Sequence, residues 1–275
     1  MRVEGSRAVL APESAPIGTP KYDMDVWKLQ VGMDGQVHET DDGVLIGGVT
    51  FATGTVATDV TSDAGNGSID TEGYGVGATL TWLRDDDLYV DGQAQAMWYD
   101  SDLSSDRSGE VADGNDGFGY ALGVEVGRRI AWKEDWTVTP QAQLVYSSVD
   151  FDSFSDPFDA RVESDDGATM PLRIGVAVDE ETAWKAEGKG DVRRRHLYGI
   201  ANLYYDLIDG TGVSVGGVGF STTGDRVWGA LGLGGTYSWG DGAYAVYGEG
   251  LVRTSLEDFG DSYANTATLG FRMAW

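Results

Sequence analysis

Apolar residues alternate with glycine or polar residues, one for one, over segments of ten residues and more. Between Gly73 and Trp82, Tyr74, Val76, Ala78, Leu80 and Trp82 share one parity, and Gly73, Gly75, Gly77, Thr79 and Thr81 share the other. Successive side chains of an extended chain point to opposite faces, so this period of two makes a strand with one greasy and one small or polar face. The pattern recurs from Phe118 to Ile130 and from Trp136 to Tyr146, where Trp136, Val138, Pro140, Ala142, Leu144 and Tyr146 oppose Thr137, Thr139, Gln141 and Gln143. The last segment sets Leu269, Phe271, Met273 and Trp275 against Thr268, Gly270, Arg272 and Ala274.

Composition agrees with strands. Glycine supplies 41 of 275 residues, about twice the usual share, and each interior glycine costs a helix roughly 1 kcal/mol. No run approaches the 18 apolar residues of a transmembrane helix, and no basic segment followed by an apolar one opens the chain as a secretory signal does. Clusters of Asp, Gly, Ser and Asn divide the sequence into about twelve strands, near 2–10, 24–39, 44–60, 70–84, 88–100, 117–132, 136–151, 168–180, 191–207, 226–239, 243–253 and 262–275. Every connection reads as a hairpin, so the sheet is an antiparallel meander over one domain, 1–275.

The connections alternate in length. Tight ones fall at Asp41–Gly43, Asp85–Asp87, Lys133–Asp135 and Gly240–Gly242, with a longer member at Glu181–Gly190. Long acidic ones fall at about 11–22, 61–69, 101–116, 152–167, 208–225 and 254–261, and 208–225 carries a small hairpin of its own. Outer-membrane barrels have this asymmetry, with short periplasmic turns and long extracellular loops, and an even strand number then puts both termini in the periplasm. Tryptophans gather at strand ends, as aromatic rings do at membrane interfaces. Trp82, Trp132, Trp136, Trp184, Trp239 and Trp275 fall at the short-turn end. Trp27, Trp98 and Trp228 fall at the other, with Tyr22, Tyr74, Tyr99, Tyr120 and Tyr146. The predicted fold is therefore all-β, a transmembrane antiparallel β-barrel.

The same alternation predicts a polar lumen lined by Lys28, Gln30, Asp34, Asp91, Gln93, Gln95, Glu125, Arg129, Gln141, Gln143, Arg173, Asp179, Asn202, Tyr204, Glu249, Arg253 and Arg272. Mixed charge of this kind suits a hydrated passage, and equally suits cross-lumen hydrogen bonds that stiffen the wall. Asp91, Glu125 and Glu249 are placed to face one another, but no catalytic residue is assigned. The absence of cysteine and the presence of only His38 and His196 remove thiolate and His-built metal sites, and the acidic loops lack calcium-loop spacing, so no cofactor or metal is expected. Arg193, Arg194 and Arg195, ahead of His196, suit anionic headgroups or a solvated strand end alike. A formal charge of -26 makes nucleic acid an unsuitable partner.

The terminal run SYANTATLGFRMAW (262–275) resembles the last strand of bacterial outer-membrane barrels. The segments GYGVGATLTW (73–82), YVDGQAQAMWYDSDL (89–103), GFGYALGVEVGRRI (117–130), PQAQLVYSSVDF (140–151), HLYGIANLYYDLIDG (196–210) and TSLEDFGDSYANTATLGFRMAW (254–275) look like the translocator domain of autotransporters, the type V secretion proteins. The resemblance implies a non-enzymatic twelve-stranded barrel that anchors an N-terminal passenger and assists its export to the cell surface. Its implied partners are outer-membrane lipid and lipopolysaccharide, the barrel assembly machinery, periplasmic chaperones and the passenger itself. It further implies that Leu269, Phe271, Met273 and Trp275 form an assembly signal, with Trp27, Trp82, Trp98, Trp132, Trp136 and Trp239 as girdle residues. In that family a linker helix precedes the first strand; here Met1–Leu10 already reads as that strand, so passenger and helix are expected outside this chain. A free-standing porin and a soluble acidic adhesin domain stay open as other readings.

Overall fold

A computed structural model describes residues 1–12, 15, 18–164, 167–185, 191–208 and 210–275. The described chain is built of strands: β1 (Arg2–Leu10), β2 (Lys21–Thr40), β3 (Gly43–Thr61), β4 (Gly67–Arg84), β5 (Leu88–Ser105), β6 (Gly109–Arg128), β7 (Ile130–Lys133), β8 (Trp136–Phe151), β9 (Phe154–Ser155), β10 (Arg161–Ser164), β11 (Gly167–Thr169), β12 (Pro171–Lys185), β13 (Val192–Asp206), β14 (Thr211–Val215), β15 (Val218–Thr222), β16 (Val227–Trp239), β17 (Tyr244–Ser255) and β18 (Tyr263–Met273). Twelve of them form a ring, β1-β2-β3-β4-β5-β6-β8-β12-β13-β16-β17-β18, and β18 pairs back onto β1 from Arg2↔Gly270 to Val9↔Tyr263. All of these pairings are antiparallel. Closure gives both edges of every wall strand a neighbour over most of its length, β2 excepted, which β1 flanks only from Tyr22 to Gln30; this is the condition for β structure in hydrocarbon, where an unpaired peptide group finds no water.

The wall is turned inside out relative to a soluble protein. Leu233 is 75% exposed and Leu269 70%, and both belong to the outward parity of their strands, while the buried positions Ala52, Ala177, Ala230 and Asn202 face in. An apolar outer surface of this extent is stable only against another apolar phase. No described helix is long and apolar enough to cross a membrane.

Four features depart from the expected boundaries. Residues 101–116 form no free loop: β5 and β6 continue as a hairpin to Ser105 and Gly109, with register shifts between Ser101 and Leu103 and between Leu103 and Ser104. The segment 61–69 likewise narrows to the turn between Thr61 and Gly67. In both, polar residues occupy both parities, so the hydrophobic alternation stops although the backbone ladder does not. Strands of 18 to 20 residues exceed the 9–11 that cross a bilayer, so the β2 to β6 hairpins project beyond the apolar band. The third departure is at 152–167, which carries β9, β10 and β11; β10 pairs with β14, joining this connection to the β14–β15 hairpin as a separate four-stranded sheet ordered β15-β14-β10-β9. At the opposite end the connections after β2, β4, β7 and β16 are tight, with Asp87 at φ 65° and Asp241 at φ 57°. The longer connection expected at Glu181–Gly190 is strand as far as Lys185, and residues 186–190 lie outside the described residues.

Candidate functional site

The inner face of the wall carries hydrogen-bonded groups in a transverse row set by strand register. Asp91 on β5 is the partner of Glu125 on β6, Glu125 of Gln143 on β8, and Gln143 of Arg173 on β12. Arg173 Nη2 donates to Glu125 Oε2 at 2.5 Å, and Tyr89 Oη donates to Glu125 Oε1 at 2.6 Å. Arg173 Nη1 also reaches Asn202 Oδ1 at 3.5 Å. Asp91 accepts from Thr81 Oγ1 at 2.5 Å and from Gln93 Nε2 at 2.6 Å. A guanidinium beside a carboxylate, with the remaining oxygen taken by a phenol, satisfies the carboxylate, while Arg173 Nε is buried without a hydrogen-bond partner.

A second cluster lies around β12, β13 and β17. His196 Nε2 is 2.7 Å from Asp179 Oδ1, and its ring stacks at 5.4 Å on Tyr198, whose hydroxyl donates to Glu249 Oε2 at 2.7 Å. A cavity of about 620 Å³ opens here, with Arg129, Gln141, Asp179, His196 and Arg272 on its lining. Towards the long-loop end, Arg253 is held between two rings, its Cζ 4.7 Å from Tyr204 and 4.5 Å from Trp228. Trp228 is 8% exposed, and its Nε1 donates to the Asp225 carbonyl at 2.8 Å.

The other expected lumen residues take their places on the same parity. Lys28 is the register partner of Glu4 and Gln30 of Arg2, while Gln95 stands between Gly77 and Ala121. Asp34 and Arg272 are exposed near the short-turn rim, and Arg129 sits at the break between β6 and β7, where its N–H donates to the Asp87 carbonyl at 3.0 Å. The three acids all lie on the inward parity, on β5, β6 and β17. Asp91 and Glu125 are neighbours with separate partners, and Glu249, on β17, is removed from Glu125 by four intervening wall strands. Each carboxylate is thereby engaged by its own donor, and the described residues include no group of three or more His, Cys, Asp or Glu able to hold a metal ion.

Sequence reasoning passed over Tyr89, Tyr198 and His196 as bonding partners. Both tyrosines share the inward parity of their strands, Tyr89 with Asp91 and Gln93, Tyr198 with Asn202 and Tyr204. Three rings expected on the outer face turn inward: Trp228, Tyr99, which packs 6.1 Å from Phe151, and Tyr22, on the parity of Lys28. The run of arginines divides by parity. Arg194 lies 3.7 Å from Glu181, whereas Arg193 and Arg195, on the other face, approach Asp191 at 3.7 Å and Glu180 at 3.6 Å.

On the outer surface Trp27, Trp98, Trp132 and Trp136 are exposed, and Trp82 and Trp239 partly so. Trp98 packs between Tyr74 at 5.8 Å and Phe118 at 5.7 Å; Arg84 covers Trp82 at 5.2 Å and Lys133 covers Trp132 at 4.8 Å. A continuous ribbon of rings drawn from four strands marks the short-turn end, from Trp184 through Tyr237, Trp239 and Tyr244 to Phe271, with centroid spacings of 5.7 to 6.4 Å. Leu269, Phe271 and Met273 continue this face, and Trp275, 90% exposed, ends it.

Comparison with known proteins places this geometry in a family. The family described as Autotransporter beta-domain matches residues 14–250. The adhesin BmaC autotransporter of Brucella suis biovar 1 is 43% identical over 275 residues, covering 100% of this chain and 8% of that protein. The probable autotransporter YfaL of Escherichia coli K12 is 29% identical over 118 residues, 40% of this chain and 9% of that protein. Among solved structures, the transport unit of the autotransporter AIDA-I from Escherichia coli aligns with a TM-score of 0.84 at 17% identity, covering 100% of this chain and 89% of that one. The β domain of the Bordetella autotransporter BrkA aligns at 0.73 and 18% identity, covering 100% and 97%.

Proposed function

Since the chain belongs to the autotransporter β-domain family, whose β-barrels are outer-membrane proteins, we propose that it is the membrane anchor and export conduit of a longer polypeptide carrying an N-terminal passenger. The observation that carries this reading is the closed ring itself, apolar outside and polar inside, with Glu125, Arg173, Asp179 and Glu249 engaged by neighbouring side chains. A wall of polar groups, its Glu125 and Arg173 engaged with one another, presents a moving chain with a wet surface. The chain spans only 8% of the BmaC adhesin, which is consistent with most of the longer protein being passenger. The adhesive activity named for that relative would reside in such a passenger, and the barrel's own role is non-enzymatic.

In this reading both termini face the periplasm, the tight turns lie there, and the four-stranded sheet of β9, β10, β14 and β15 stands on the cell surface. The outward face of β18, Leu269, Phe271, Met273 and Trp275, is the segment read by the barrel assembly machinery after delivery by periplasmic chaperones. The aromatic girdles sit at the two interfaces with lipid and lipopolysaccharide, and Lys28, Gln93, Gln95, Gln141, Gln143 and their neighbours wet the passage.

The experiment combines two readouts. The purified chain in detergent is expected to run as a compact band that shifts on boiling and to give discrete conductance in a planar bilayer. In cells producing the longer protein, externally added protease is expected to remove the passenger and leave the barrel. A barrel that conducts but carries no preceding passenger would instead make it a free-standing channel.

A further inference from the structure

On the short-turn rim the strands on either side of β1 run past its start. β2 pairs with β1 from Leu10↔Tyr22 as far as Arg2↔Gln30 and then runs on from Val31 to Thr40, paired with β3 on one side and with no strand on the other among the described residues. Across the gap, β18 also runs on, past Gly270 to Met273, paired only with β17. Strands in a sheet lie about 4.8 Å apart, and at Arg2, where β1 still lies between them, these two edges stand one strand apart. A cavity of about 860 Å³ is bounded by Gly32, Met33 and Asp34 on one side and Arg272, Met273 and Ala274 on the other. The Met1 amine already donates to the Phe271 carbonyl at 2.9 Å, and the Phe271 N–H to the Met1 carbonyl at 2.9 Å, so the ladder with β18 is intact up to the mouth of this slot. Exposed strand edges are ordinarily blunted or covered; this one, Val31 to Thr40, is bare among the described residues.

We propose that the slot is the seat of the polypeptide that immediately precedes Met1 in the longer protein, which enters as a direct continuation of β1 for about four residues and closes the rim. This rests on the reading that the barrel ends a longer chain. The register is dictated by the pairs already present. The residue just before Met1 falls between Gly32 and Arg272 on the lumenal parity. The second falls between Met33 and Met273 on the outer parity, where both neighbours are exposed and apolar, so it is an apolar residue. The third returns to the lumen beside Asp34 and Ala274, where a basic or neutral side chain is favoured over an acid. The fourth lies level with Gly35 and Trp275. Four residues of strand cover about 13 Å, which brings the linker to the lumen mouth at a fixed point on the rim, beside the carboxyl terminus.

The test uses the longer protein assembled in its outer membrane, in a background free of other cysteines, since these 275 residues hold none. Cysteine is placed at the second residue before Met1 and paired in one variant with Met33→Cys and in another with Met273→Cys. Val3→Cys with Leu29→Cys, register partners on the outer face of the existing ladder, serves as the positive control. Disulfide formation in both test pairs, and none when the cysteine is moved to the residue just before Met1, is the expected result, because a bridge needs Cβ atoms about 3.8 Å apart and a one-residue shift turns the side chain to the other face. A control pair that bridges while neither test pair does overturns the proposal, as does a mature protein with no residues before Met1. Protease accessibility of the passenger on the same cells separates the two readings: an exposed passenger with no bridge defeats the strand continuation alone.

Discussion

Arg173 and Glu125 join at 2.5 Å across the inner wall although β8 stands between their strands, so the pair bridges over Gln143. Their side chains are only 14% and 17% exposed. Removing the carboxylate by Glu125→Ala leaves the guanidinium and the Tyr89 hydroxyl without their acceptor, and breaking such a pair costs about 3 kcal/mol. The variant is expected to lose its compact gel band at a lower temperature than the parent. The double variant Glu125→Gln with Arg173→Met is expected to recover most of that loss, since no buried charge is stranded, and a double-mutant cycle on the gel transition measures the coupling.

Trp228 and Trp98 belong to the same expected set of rings but face different solvents. Trp98 is on the outer surface, whereas Trp228 covers Arg253 inside. In vesicles of brominated lipid, Trp98→Phe is expected to remove a quenchable part of the tryptophan emission and Trp228→Phe an unquenchable part. Equal quenching of the two would place Trp228 on the lipid side and sink the assignment.

Gly43 turns the chain from β2 into β3 at φ 149°, and a Cβ there would collide with the Leu83 carbonyl oxygen. Gly43→Ala is expected to destabilise the folded barrel by more than about 1 kcal/mol, because alanine neither adopts that φ nor fits against the next strand. Gly5 is the comparison, since a methyl group on its Cα would meet nothing within 4 Å. Gly5→Ala is expected to gain about 0.5 kcal/mol through reduced freedom of the unfolded chain. Thermal titration of the gel shift reads both.

Trp275 touches little, so Trp275→Ala is expected to change the stability of the refolded barrel by less than about 0.5 kcal/mol. Its amount in the outer membrane of growing cells is nevertheless expected to fall several-fold, the outcome for an assembly signal. A matched fall in stability and in membrane level would reduce Trp275 to an anchor.

Much of the molecule follows from local chemistry. The pleat of an extended chain makes side chains alternate, so parity along the sequence already separates Leu231 and Leu233 from Ala230 and Gly232, and Leu269 from Thr268 and Gly270. Turn residues such as Asp41, Asp42 and Gly43 punctuate the strands because few residues accept those dihedrals. Where hydrophobic alternation ended, so did legibility: the β5–β6 hairpin above Tyr99 is ordered by backbone hydrogen bonds that any sequence without proline can make.

Partnership across the lumen is a different matter. Glu125 and Arg173 are 48 residues apart, Tyr198 and Glu249 51, and each pair depends on the register of every hairpin between them. A shift of one residue in any of those ladders would reverse the face of one partner, so the contact is a property of the closed ring. Which residues face in and which face out is written along the chain, because it is set by the geometry of a single strand. The pairing of Asp179 with His196, the stacking of Arg253 on Trp228 and the bare edge of β2 among the described residues were settled only when the strands closed, because register is the sum of all the turns and ladders around the barrel.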